Sequence, residues 1–170
     1  MSEFQKRNII NNLLRLGPLL ILFISVLNEI DLNYIKFFSF NFTFILVFYW
    51  SVRRTESLGY GYIFLAGLIN DVVTGFPIGI SSFNYLLICG FAAYLRTITL
   101  RPNLVKDWFF FLFTILVVNS ASYSILNIFF SIDLNYYNLF VNIFFTFIFY
   151  IIFANLFLMY QNKLFKEGND

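Results

Sequence analysis

Six stretches of the chain, residues 13–30, 34–52, 58–75, 77–95, 108–132 and 136–160, are each apolar over a length that matches a bilayer. A helix needs about 20 such residues to cross the hydrocarbon layer. No water is present there to bond exposed backbone groups, so a spanning segment must satisfy its own N–H and C=O groups, and a helix does so internally. The fold class that follows is all-α: a polytopic membrane protein of six transmembrane helices. Composition supports it. The 170 residues are 60% hydrophobic, 23% aromatic and 12% charged, against roughly 25% charged in a soluble domain. A chain this short cannot hide so much apolar surface in one core. Residues 1–170 therefore read as a single integral membrane domain with the lipid bilayer as its solvent. Gly59, Gly61, Gly67 and Gly75 weaken the third stretch, and only Phe76 separates it from the fourth. A re-entrant hairpin there, leaving four full spans, is the competing count.

Charge supplies the orientation. Lys6, Arg7 and Arg15 precede or open the first stretch, Arg53 and Arg54 follow the second, Arg96, Arg101 and Lys106 follow the fourth, and Lys163 and Lys166 follow the sixth. Ten of the eleven basic residues thus fall on one side, and the other side holds Lys36 with Glu29, Asp31, Asp71 and Asp133. Lys and Arg in short loops collect on the cytoplasmic face, which places both termini in the cytoplasm. The start of the chain is basic and then apolar, but Leu27-Asn28-Glu29 offers no small-x-small cleavage pattern, so an uncleaved first helix is expected. Pro18 is expected in the first turns of that helix, where a missing N–H costs little. Trp50 and Trp108 near the inner ends, and Tyr34, Tyr136 and Tyr137 near the outer ones, occupy belt positions. The pentapeptide IDLNY occurs at 30–34 and 132–136. Both copies read as similar reversals favoured by Asp and Asn, not as a duplicated half.

Several chemistries are excluded. Histidine is absent and Cys89 is the single cysteine, which removes His-based acid–base catalysis, disulfides and Cys/His metal sites. A net charge of +2 without a basic run gives no footprint for nucleic acid. No cofactor is expected. The 17 asparagines against 5 alanines reflect base composition as much as function, so no single asparagine is decisive.

One irregular polar stretch remains, AGLINDVVTGFPIGISSFNY, at residues 66–85. A carboxylate at the bilayer centre costs about 2.5–3.5 kcal/mol on insertion scales. Asp71 is therefore expected near the outer end of the third helix, either capping or ending it beside Gly75 and Pro77, or meeting a partner. Asn70 and Asp71 point about 100° apart on a helix, so at least one must face protein. Gly75 is expected to end a helix in the left-handed conformation, Pro77 to begin the next, and Gly79 to let backbones approach closely. A phosphate-cradling loop is a poor competitor, since the stretch lacks the Lys-Ser/Thr ending and strand context.

Two polar seams lie further on. Asn119, Tyr123 and Asn127 recur at four-residue spacing with Ser120 and Ser124 beside them, and Asn138, Asn142 and Thr146 do the same. Hydrogen bonds between helices are the plainer reading, a lined cavity the other. Arg53 and Arg54 read as a cytoplasmic basic anchor attracted to anionic lipid, at about 1 kcal/mol per residue, with a contact to a cytoplasmic partner as the other reading.

The segment LVFYWSVRRTE (46–56) followed by FLAGLINDVVTGFPIGISSFNYLL (64–87) resembles the MreD family of bacterial rod shape-determining membrane proteins. The resemblance rests on Gly67, Leu68, Asp71, Gly75, Pro77 and Gly79 as a Gly-Leu-x-x-Asp-x-x-x-Gly-x-Pro-x-Gly core, with Asn70 inside it. These residues are expected to pack against partners. Thr55 departs from the usual proline, and Tyr150-Ile151 from a usual Tyr-Pro. The resemblance implies a non-enzymatic scaffold in the inner membrane, within the cell-elongation machinery of peptidoglycan synthesis. Its implied partners are MreC and, through it, MreB, RodA and a class B penicillin-binding protein. It also implies a fold similar to the S components of energy-coupling-factor transporters. The alternative function is then a small-molecule, vitamin-like binding subunit.

Overall fold

A computed structural model of the chain describes residues 3–27, 40–54, 57–99, 103–131 and 136–167. Among these residues there are six helices and no strand: α1 (Glu3–Leu27), α2 (Phe42–Arg53), α3 (Tyr60–Thr74), α4 (Ile80–Ile98), α5 (Leu104–Phe130) and α6 (Tyr136–Glu167). Each expected helix has a counterpart, with shifted ends. Both IDLNY turns, apart from Tyr136, lie outside the described residues.

α2 is the axis of the bundle. Nine consecutive residues, Thr43 to Ser51, are buried on every side of this 12-residue helix. Helices apolar all round belong in a core, and the neighbours show why this one does. α1 touches α3, α3 touches α4, α4 touches α5, α5 touches α6, and α6 touches α1, closing a ring, while α2 contacts α1, α4 and α6 within it. Phe48 carries much of the centre: its ring meets Phe111 at 5.0 Å and stands edge-on to Tyr150 at 5.8 Å. Trp50, expected in an interfacial belt, is instead 1% exposed and packs against Phe157 and Tyr160. Its helix has no lipid-facing side on which a belt residue could sit.

The outer surface is inverted relative to a soluble protein. Along α6, Phe140, Phe144, Ile148, Ile152, Leu156 and Met159 are all exposed, at intervals of three or four residues, while Ile143, Thr146, Tyr150, Ala154 and Phe157 of the same helix point inward. α1 repeats this with Leu16, Leu20, Ile24 and Leu27 outside. Such spacing places each set along one face of a helix. Continuous exposed apolar stripes of this kind mark an interaction or membrane surface. α5 and α6 are long and apolar enough to cross a membrane by themselves, among the described residues, and their outward stripes support a membrane location.

Three expected boundaries need correction. The second helix begins at Phe42, not 34, because Asn41 stands as its N-cap: the Asn41 carbonyl side chain accepts from Phe44 N–H at 3.1 Å, and its backbone N–H donates to Thr146 Oγ1 at 2.8 Å. The first helix starts near Glu3, ten residues before its apolar run, since polar residues continue a helix without contributing to hydropathy. Pro18 consequently lies in the helix interior, where it removes one backbone bond. The fourth helix begins at Ile80 instead of Pro77, for a reason found in the irregular stretch.

Candidate functional site

The reversal between α3 and α4 is built by one carboxylate. Asp71, in the last turn of α3, is 0% exposed. Its Oδ2 accepts from Gly79 N–H at 2.7 Å and its Oδ1 from Ser81 N–H at 2.9 Å. These are N–H groups at the start of α4, which have no acceptor inside their own helix. A negative charge there also meets the positive end of the helix dipole. Asp71 is thus a cap, as one reading held, but it caps the following helix from eight and ten residues away.

The rest of the motif follows from this bond pair. Gly75 closes α3 with φ 71° and Gly79 opens α4 with φ 104°, both left-handed. Gly79 has to be glycine for this conformation and not for close approach, because a Cβ there would meet nothing within 4 Å. Aiming the Gly79 and Ser81 N–H groups at Asp71 moves the helix start past Pro77, whose carbonyl accepts from Ile80 N–H at 3.3 Å. The close approach occurs at Gly67 instead, where a Cβ would fall 2.5 Å from Ser82 N. Ser82 Oγ donates to Phe64 O at 2.9 Å, and Asn70 Nδ2 donates to Ser81 Oγ at 2.9 Å. Asn70 and Asp71 therefore both turn to α4. Leu68 is half-buried and takes no part in these bonds. Gly67→Ala should destabilise by about 1–3 kcal/mol through overpacking against backbone. Gly79→Ala should cost about 1–2 kcal/mol through the forbidden φ. Thermal unfolding in detergent checks both, with Gly61→Ala, at a site with open space around it, as the unaffected control.

At the other end of the bundle, Arg53 Nη2 donates to Asp107 Oδ2 at 2.7 Å, with side-chain exposures of 14% and 2%. This pair joins the last turn of α2 to the first turn of α5. Each charge complements the helix terminus that carries it. Arg53 is thus directed into the bundle and not toward lipid, whereas Arg54 forms the C-cap of α2, its N–H bonding to Trp50 O at 2.7 Å. Asp107 escaped the sequence reading. Its one signal was an acid standing among basic residues.

The two seams meet different fates. Asn119, Tyr123 and Asn142 line a cavity of about 250 Å³ near Asp71's end of the bundle. Thr146 is buried as the partner of Asn41, while Ser120, Ser124, Asn127 and Asn138 are exposed. The buried seam contact of α5 is Ser122, whose hydroxyl bonds to Asn84 Oδ1 on α4 and to Val118 O. Ser122 and Asn84 belong to neither expected stripe. Tyr150 stacks on Phe111 at 4.5 Å, and α6 runs unbroken past Ile151.

Fold and motif together define a helical membrane protein whose polar residues join helix to helix. The chain belongs to the MreD family, described as rod shape-determining protein MreD, which matches residues 7–167. No curated protein matches it, and no solved structure does. The family is one of cell-shape proteins, not a known enzyme family, and its role is in rod shape determination.

Proposed function

We propose that the chain is a non-catalytic scaffold subunit of the cell-elongation complex in the bacterial inner membrane, one integral domain of six spans with both termini cytoplasmic. In this reading it holds MreC and, through it, MreB, RodA and a class B penicillin-binding protein near peptidoglycan synthesis. Family membership over nearly the whole chain is the observation that carries the reading. The use of Asp71, Asn70 and Gly67 for internal helix joints supports it, since those residues are engaged in structure. Partner docking then depends on the motif indirectly, through the angle it sets between α3 and α4. α3 has 15 residues, or about 22 Å of rise, short against a roughly 30 Å hydrocarbon layer. The reversal at its end extends the span. Depletion in the native host should widen or round the cells, and affinity purification should bring MreC with it. Normal cell width after depletion would refute the reading.

The cavity favours a second reading, the small-molecule binding subunit of a transporter with a fold like an S component. Uptake that depends on an ATPase-bearing module would separate the two.

A further inference from the structure

The cavity of about 250 Å³ has a chemistry that narrows its occupant. All six helices contribute to its wall, and among the described residues no Asp, Glu, Lys or Arg lines it. Its polar groups are amides and hydroxyls, including Asn70, Asn84, Asn119, Ser122, Tyr123 and Asn142. Amides and hydroxyls both donate and accept. An anion or cation entering here would lose its hydration without meeting a counter-charge, which is strongly unfavourable. A purely apolar molecule would strip water from the lining groups that keep bonding capacity, such as the Asn119 carbonyl oxygen, which is also unfavourable. What remains is an uncharged molecule that itself donates and accepts. Of the aromatic residues in the wall, Phe44 and Tyr85 are buried against each other and Phe42 packs on Phe153, while Phe76 is exposed; an accessible ring such as Phe76 suits the C–H face of a saturated ring that carries hydroxyls on its edge. The volume is many times what a single water needs and admits one small ring.

Some of the lining is already arranged. Asn84 is held by Ser122 and Asn70 by Ser81, so these groups stand fixed before any ligand arrives. Asn119 donates to Ile115 O in its own helix at 2.8 Å, which leaves its carbonyl oxygen to accept. Fixed polar groups lower the ordering cost of binding.

We infer that this cavity is a binding site for a single uncharged, hydroxyl-bearing ring of monosaccharide size. The inference rests on the cavity alone and requires neither the scaffold nor a transport step.

The test is saturation-transfer NMR on the full chain in a detergent without a sugar head group, because glycoside detergents would compete. The probes are N-acetylglucosamine and methyl glucoside, with glucose 6-phosphate as the charged comparator. The uncharged sugars should bind, and the phosphate ester about tenfold more weakly or not at all. Asn119→Phe places a ring in the cavity and loses only a bond within its own helix. It should weaken N-acetylglucosamine binding about tenfold or more while thermal unfolding stays unchanged. If Asn119→Phe unfolds, Tyr123→Leu on the same wall, which adds no bulk, decides in its place. No transfer to either uncharged sugar, equal binding of the phosphate ester, or undiminished binding by a folded variant would overturn the assignment.

Discussion

Asp71→Leu is expected to lower stability by about 3–5 kcal/mol, since two N–H groups at the start of α4, buried at Ser81 and part-buried at Gly79, each lose a charge-assisted acceptor worth roughly 1.5–3 kcal/mol. The bonds at stake are those to Gly79 and Ser81. Asp71→Asn keeps one acceptor oxygen and should lose about half as much. Ordering Asp, Asn and Leu by thermal unfolding in detergent checks the assignment. An Asp71→Leu protein as stable as wild type would remove the capping role. Under the proposed function, MreC co-purification should fall in the same order, because the joint between α3 and α4 loosens before the chain leaves the membrane.

Breaking the second joint should cost as much. Arg53→Met or Asp107→Leu alone leaves an uncompensated buried charge, an expected loss of about 3–5 kcal/mol. The double replacement should recover most of it, since well-packed apolar pairs commonly replace buried ion pairs without loss. This non-additivity is the diagnostic. If Arg53 acted only on anionic lipid, Asp107→Leu would have little effect and the double variant would simply add the two. Denaturation of the four proteins under one detergent condition reads the coupling directly.

How much was legible beforehand follows from the range of each interaction. Helix number came from apolar length, a local property. The reversal at 74–79 was also local, and Gly75 ends α3 in the left-handed conformation as its position implied. The Asp71 bonds could be half seen, as a cap near Gly75 and Pro77, but not their target, because the choice between its own helix and the next depends on the path of the turn. That path also moved the role of close approach from Gly79 to Gly67, whose neighbour Ser82 lies 15 residues on. Longer links left no trace. Arg53 and Asp107 are 54 residues apart, and Asn84 and Ser122 are 38 apart. The central place of α2 was hidden for a related reason. Every expected span is apolar, so hydropathy cannot separate a helix enclosed by its neighbours from one on the outside of the bundle.

The irregular stretch is thus an internal clasp: one carboxylate, two left-handed glycines and one bare backbone contact hold α4 against α3. Amide hydrogen exchange at Gly79 and Ser81 in detergent tests this most directly. Both amides should be strongly protected in the wild type and exchange quickly in Asp71→Leu, with the middle of α5 unchanged. Rapid exchange of these two amides in the wild-type protein, or equal protection after Asp71→Leu, would contradict the clasp.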